Sequence, residues 1–332
     1  MNNMLDLAIA NLTSPIILFF GLGIAIGFAK AKVEFPAAIS DFLSIYLLTA
    51  IGFKGGAAIA EYGMNSILLK VAGAMLAGVI TPIFAFYILK HIGRLNTDNS
   101  AAIAGHYGSI SVVTFMAGTI FLNNLGITYE GYINGFPALM EVPGIAVALF
   151  LASYAKEKKG TEINEEFSTG QVIKQVILSK SVVLLLGAMA VGYFSGPMGT
   201  EMMEVFYKDI FYGMLGLFML ELGIIAASKL GEFRRSGLFL IIFGVLMPII
   251  NGLVGAFIAI AVGLSLGGAT LFTILAASSS YIVAPAAMRI SLPRANPALY
   301  LGVSIGVTLP FNLIAGIPIY YFLVSYLIKL SS

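Results

Sequence analysis

Long apolar runs separated by short polar interruptions fill almost the whole chain. Stretches near the ~20 residues needed to cross a bilayer as a helix run over 14–30, 36–60, 64–90, 99–122, 131–154, 178–197, 208–230, 236–264, 269–290 and 297–328. The pattern predicts ten helical spans. The last is long enough to bend, and Pro310 and Pro318 offer the kinks. Two spans carry polar breaks: His106-Tyr107-Gly108-Ser109-Ile110-Ser111 in the fourth, and Ser278-Ser279-Ser280-Tyr281, followed by Pro285, in the ninth. Serine, glycine and proline at membrane depth predict irregular backbone, which is tolerated there only when buried in protein or lining a wet cavity. One interrupted span in each half of a chain is a pointer to the binding site of a secondary transporter.

The halves also echo each other. Leu22–Phe28 resembles Gly187–Tyr193, Gly52–Glu61 resembles Gly223–Glu232, and Gly144-Ile145 with Ser153-Tyr154 resembles Gly316-Ile317 with Ser325-Tyr326. Five spans per half is an odd number, so the second half enters the membrane from the opposite side and the repeats are inverted. The organisation expected is a first five-helix repeat over 1–155, a linker over 156–177, and a second repeat over 178–332. The linker, with its lysines and with Glu162, Glu165 and Glu166, reads as a solvated connection or as a docking surface for a regulator.

Charge orients the molecule. Fourteen of the eighteen Lys and Arg residues lie in the loops after odd-numbered spans or at the span ends that bound them, which the positive-inside rule places in the cytoplasm, with both termini outside. Composition agrees with a polytopic, all-α membrane protein: of 332 residues, 59% are hydrophobic and 10% charged, against about 25% charged in soluble domains. The 37 glycines suit close helix packing. There is no cysteine and there are only two histidines, His91 and His106, so thiol chemistry is excluded and a metal cluster or catalytic pair has little to draw on. The chain does not read as an enzyme, and no cofactor is expected.

If spans 4 and 9 unwind at their serines, two helix N-termini with free N–H groups and partial positive charge face the midplane, an anion site without a cationic side chain. Gly108, Ser109, Ser111, Ser278, Ser279 and Ser280 are the candidate substrate-binding residues. Ser111, Thr114 and Ser278, with unwound carbonyls, are candidates for a sodium ion, and His106 for a proton carrier or a packed core histidine. Tyr107 and Tyr281 are expected to pack beside the site. Lys54, Glu141 and Glu221 are costly at membrane depth and call for partners. Because span 2 matches span 7, a Lys54–Glu221 ion pair is expected. Glu141, close to Pro143, is placed to satisfy backbone freed by the breaks, and Asn251 and Asn312 read as interhelical hydrogen-bonding groups.

The two breaks, together with Leu292-Pro293-Arg294-Ala295-Asn296-Pro297 and Gly52-Phe53-Lys54-Gly55-Gly56, resemble the sodium-dependent bicarbonate transporter family first known from cyanobacteria. The resemblance covers essentially the whole chain. It implies ten helices in two inverted repeats, similar to bile-acid transporters and cation/proton antiporters. Spans 1, 2, 6 and 7 would form a gate or scaffold, and the other six a core holding crossed, discontinuous helices 4 and 9. It further implies sodium-coupled bicarbonate import across the bacterial plasma membrane by an elevator-like movement, a homotrimer in membrane lipid, and inhibition of some members by a cytoplasmic PII-like protein; nucleic acid has no part in it. The bicarbonate and sodium roles then fall on Ser109, Ser111, Ser278, Ser279 and Ser280. Cyanobacterial members carry an acidic residue directly after the second serine run, where this chain has Tyr281. A proton- or sodium-coupled transporter of another small anion, and a non-transporting membrane sensor, are the alternatives.

Overall fold

The computed structural model describes residues 9, 12–157, 174, 177, 178, 180–233, 237–281 and 283–331. Among them there is no strand, and the expected linker over 156–177 falls largely outside. The helices are α1 (Pro15–Ala29), α2 (Ala37–Tyr62), α3 (Met64–Tyr87), α4 (Thr97–Gly108), α5 (Val112–Asn124), α6 (Phe136–Glu157), α7 (Lys180–Glu204), α8 (Phe211–Phe233), α9 (Leu238–Ala261), α10 (Leu266–Ala277) and α11 (Val283–Ser291). The last, α12 (Pro297–Leu330), contains two π-helical stretches, Gly302–Thr308 and Asn312–Gly316. Seven helical spans are long and apolar enough to cross a membrane, counting α4 with α5 as one; α1 and α10 are apolar but shorter.

Local chemistry sets many of the helix ends. Ser14 and Pro15 open α1, Asn96 caps α4, Ser265 caps α10, and Asn296 with Pro297 opens α12, all of them residues suited to a helix start. Helix α7 departs from expectation. At Gly196 the backbone takes φ +63°, a conformation glycine adopts without the Cβ penalty, and the chain turns by 120° into a further helical stretch, Met198–Asp209. The polar connection expected after residue 197 is therefore mostly helix.

Two helix pairs are built by backbone meeting backbone. In α1 against α8, a Cβ on Gly23 would strike the Leu220 carbonyl, and one on Gly223 the Phe20 carbonyl. In α2 against α7, a Cβ on Gly52 would strike the Leu185 carbonyl, one on Gly56 that of Met189, and one on Gly192 that of Phe53. Without a hydrophobic driving force between helices in lipid, small residues that let backbones approach are what hold such pairs together. The contacts correspond across the sequence echo: Gly23 with Gly223 in one pair matches Ala188 with Gly52 in the other, and Gly27 with the Ile224 carbonyl matches Gly192 with the Phe53 carbonyl.

The remaining helices pack around α4, α5, α10 and α11. Helix α4 lies against α3 and α6, and α10 lies against α9 and α12. Polar clasps fix the outer ends of the short helices. The Asn296 N–H donates to Asn99 Oδ1 at 2.7 Å at the start of α4, and Glu130 accepts the Ser265 N–H and hydroxyl, each at 2.8 Å, at the start of α10.

The glycine seams predict a sharp contrast between two substitutions in or against α7. Gly56→Leu should abolish monodisperse, folded protein in detergent. Gly187→Ala, at a position with nothing within 4 Å of its Cβ, should leave the thermal unfolding midpoint within about a degree, a surface-like change. Size-exclusion profiles and thermal scans of the two variants check this.

Candidate functional site

Spans 4 and 9 are both broken where the serines predict. Between α4 and α5 the backbone leaves the helix at Ser109, Ile110 and Ser111; between α10 and α11 it does so at Ser278–Tyr281. Each break brings together the carbonyl end of one short helix and the N–H end of the next, groups that lipid cannot satisfy.

The two breaks satisfy one another. Ser280 N–H donates to the His106 carbonyl at 2.7 Å, and Ser111 N–H donates to Ser278 Oγ at 2.8 Å. Two asparagines complete the carbonyl ends: Asn251 from α9 donates to the Tyr107 carbonyl at 3.4 Å, and Asn312 from α12 to the Ala277 carbonyl at 3.0 Å. These are the interhelical roles expected of both. Asn312 Oδ1 in turn accepts the Tyr320 hydroxyl at 2.7 Å.

The candidate serines divide by what their hydroxyls do. Ser111 caps α5, accepting from Thr114 N–H at 3.1 Å and from the Thr114 hydroxyl at 2.9 Å, and donates to the Tyr281 hydroxyl at 3.2 Å. Ser278 donates to the Leu275 carbonyl at 2.8 Å while accepting from Ser111. Ser280 accepts from Ala284 N–H at 3.4 Å. These three hydroxyls, and that of Thr114, are engaged in holding the breaks. Ser109 instead donates to the Glu141 carboxylate at 3.3 Å, and the buried Ser279 hydroxyl has no hydrogen-bond partner. Gly108 has Pro82 and the Gly144 backbone where a Cβ would be, so α3 and α6 press directly on the first break.

His106 is fully buried, with Nδ1 2.8 Å from the Ala102 carbonyl, its ring centroid 4.7 Å from that of Tyr300, and Nε2 without a partner. Tyr107 turns toward α12, its hydroxyl hydrogen-bonded to Thr308, which donates to the Gly244 carbonyl at 2.7 Å. Tyr281 alone of the two tyrosines reaches a candidate serine. Among the described residues, no Lys or Arg hydrogen-bonds or ion-pairs with either break, and no three His, Asp or Glu side chains gather as a metal cluster.

Two expectations are corrected. The Lys54–Glu221 ion pair does not form. Glu221 accepts the Ser40 hydroxyl near the start of α2, fourteen residues before Lys54, or roughly 21 Å along a helix. Lys54 instead stands 4.4 Å from the Phe211 ring centroid, a cation–π contact, beside a cavity of about 850 Å3 also lined by Glu61, Glu201, Glu204 and Lys208. Matching positions of two repeats are equivalent places, not neighbouring ones, and that is why the inference failed. Glu141, for its part, takes a side-chain hydroxyl rather than freed backbone, and its Oε2 has no partner.

The profile of the Na+-dependent bicarbonate transporter superfamily matches residues 15–325, and the chain belongs to that family. A comparison with curated proteins finds no match. The chain is a multi-pass membrane protein of a transporter family, not an enzyme.

The division among the serines predicts different stability effects. Ser111→Ala removes a cap and the acceptor for Thr114, and should cost about 1 kcal/mol, read as a fall in the unfolding midpoint. Ser278→Ala strands the Ser111 N–H and should cost about 1–3 kcal/mol. Ser279→Ala, which loses no hydrogen bond, should not lower the midpoint.

Proposed function

We propose that this chain is a secondary active transporter that imports bicarbonate with sodium. The observation that carries the proposal is the meeting of the two breaks at the N-terminus of α5, where Ser279 keeps a buried, unpartnered hydroxyl and, among the described residues, no Lys or Arg is bound. A strong cationic side chain would hold a monoanion tightly. N–H groups, hydroxyls and helix dipoles bind it in the same orientation while leaving release feasible. Gly108, Ser109 and Ser279 contribute most directly to substrate binding. Ser111, Thr114, Ser278 and Ser280 shape the breaks and supply oxygens around the coupling ion.

Ten crossings in two inverted repeats, with α1, α2, α7 and α8 as scaffold and the remainder as the transporting core, are supported by the paired glycine seams and by their correspondence across the sequence echo. Elevator-type movement of that core, a homotrimer, the bacterial plasma membrane with cytoplasmic odd-numbered loops, and a PII-like regulator complete the proposal as the family implies them. A second reading, transport of another small anion with proton coupling, is favoured by two particulars: Tyr281 fills the place of the acidic residue, and His106 Nε2 is free.

Uptake of labelled bicarbonate into proteoliposomes, with an inward sodium gradient and without one, separates the readings. Sodium-driven uptake is expected; uptake that ignores sodium but follows a proton gradient favours the second reading. Ser109→Ala and Ser279→Ala should each reduce uptake to the level of empty liposomes while the protein remains folded. Full activity in both would remove the site assignment.

A further inference from the structure

We infer that Glu141 is a ligand of the coupling cation, at a site for a sodium-like ion that it shares with Ser109. The inference rests on the sodium coupling proposed above and names the side chain that carries the compensating negative charge. Glu141 lies on α6, 2% exposed. One carboxylate oxygen accepts from Ser109 at 3.3 Å; the other is buried and has no partner. Among the described residues, no cationic side chain ion-pairs with it.

Neither protonation state of this carboxyl is satisfied by the protein alone. The carboxylate is a buried charge without a counter-charge, which is costly. The neutral acid can donate its O–H to the Ser109 oxygen, but its second oxygen then stays buried with no donor. A bound cation resolves both problems. The Ser109 hydroxyl beside it is an oxygen ligand of the kind a hard monovalent cation takes. Ser109 donates its proton to Glu141 and keeps its lone pairs. Gly144, one turn after Glu141 on the same helix face, would carry its Cβ into the Gly108 carbonyl, so that carbonyl presses on the same face.

The second half of the chain supplies a contrast. Asn312 lies 171 positions after Glu141, within a residue of the offset of 172 that relates Gly144 to Gly316. It too reaches the break beside it, but as a neutral amide whose nitrogen and oxygen are both hydrogen-bonded. Only the first half places an acid at this level and leaves one oxygen open. That asymmetry locates a charge requirement at one break and not at the other.

The test is the thermal unfolding of the full-length protein in detergent at alkaline pH, in sodium chloride and in choline chloride, for the native chain, Glu141→Gln and Glu141→Asp. The native protein should gain stability from sodium. Glu141→Gln should gain none, and in choline it should be as stable as the native protein or more so, because an unpaired buried charge is gone. The native protein is therefore the more stable of the two in sodium and not in choline, a salt dependence that a merely structural glutamate would not produce. Glu141→Asp should keep a weakened sodium gain, and in proteoliposomes should raise the half-saturating sodium for bicarbonate uptake by about tenfold, a change of about 1.4 kcal/mol. A native-like sodium gain in Glu141→Gln overturns the assignment while sodium coupling stands. A native protein indifferent to sodium in both assays overturns the assignment and the coupling together. Should Glu141→Gln not fold, Glu141→Asp decides: an unchanged half-saturating sodium overturns the inference, and a raised one supports it.

Discussion

Every backbone N–H and C=O at the centre of a membrane needs a partner from the protein itself, and the arrangement around α4, α5, α10 and α11 follows from that demand. Two helical stretches that break inside the apolar bundle expose sets of unpaired groups that neither could satisfy alone. They lie against each other, so that the Ser280 N–H closes on the His106 carbonyl and the Ser111 N–H on Ser278. Asn251 and Asn312 are drawn from α9 and α12 to take up what remains. The polar clasps at Asn99 and Glu130 then hold the far ends of α4 and α10. Remove either break and the other becomes a defect.

This mutual satisfaction is incomplete in a patterned way. The groups that hold the breaks, Ser111, Ser278, Ser280 and Thr114, are hydrogen-bonded, while Ser279, one oxygen of Glu141 and one nitrogen of His106 are buried without partners. Natural proteins leave few such atoms, and each one calls for an explanation. Among the described residues, the unpartnered atoms of Ser279, His106, Glu141 and Asn251 belong to side chains in or against the two breaks.

Much of this was legible in the sequence, for reasons that differ by element. The breaks could be read because serine, glycine and proline at membrane depth have few other uses. The glycines signalled close helix packing, because small residues let backbones approach, but which helices they join was not written in the pattern. The 120° turn at Gly196 was hidden among glycines that serve packing, since a positive φ leaves no mark on composition. The π-helical stretches of α12 were hidden for a similar reason: an extra residue per turn changes the register without changing hydropathy. Lys54 and Glu221 were each rightly seen as costly, but their partners, Phe211 and Ser40, come from crossings that only the assembled fold creates. Glu141 was visible as an anomaly; that Ser109 is its neighbour depends on how α6 presses against the first break.

The glycine seams have a mechanical consequence. Where α1 meets α8 and α2 meets α7, carbonyls occupy the space in which side chains would stand. Sliding either helix by one residue would drive a Cβ into a carbonyl of its neighbour, so each pair is keyed in register like teeth in a rack. Such surfaces have no soft side-chain layer with which to absorb a displacement. Any rearrangement of this molecule must therefore occur along boundaries where side chains, and not backbones, meet. The absence of side chains at a handful of positions thus decides where the protein is stiff and, by elimination, where it can yield.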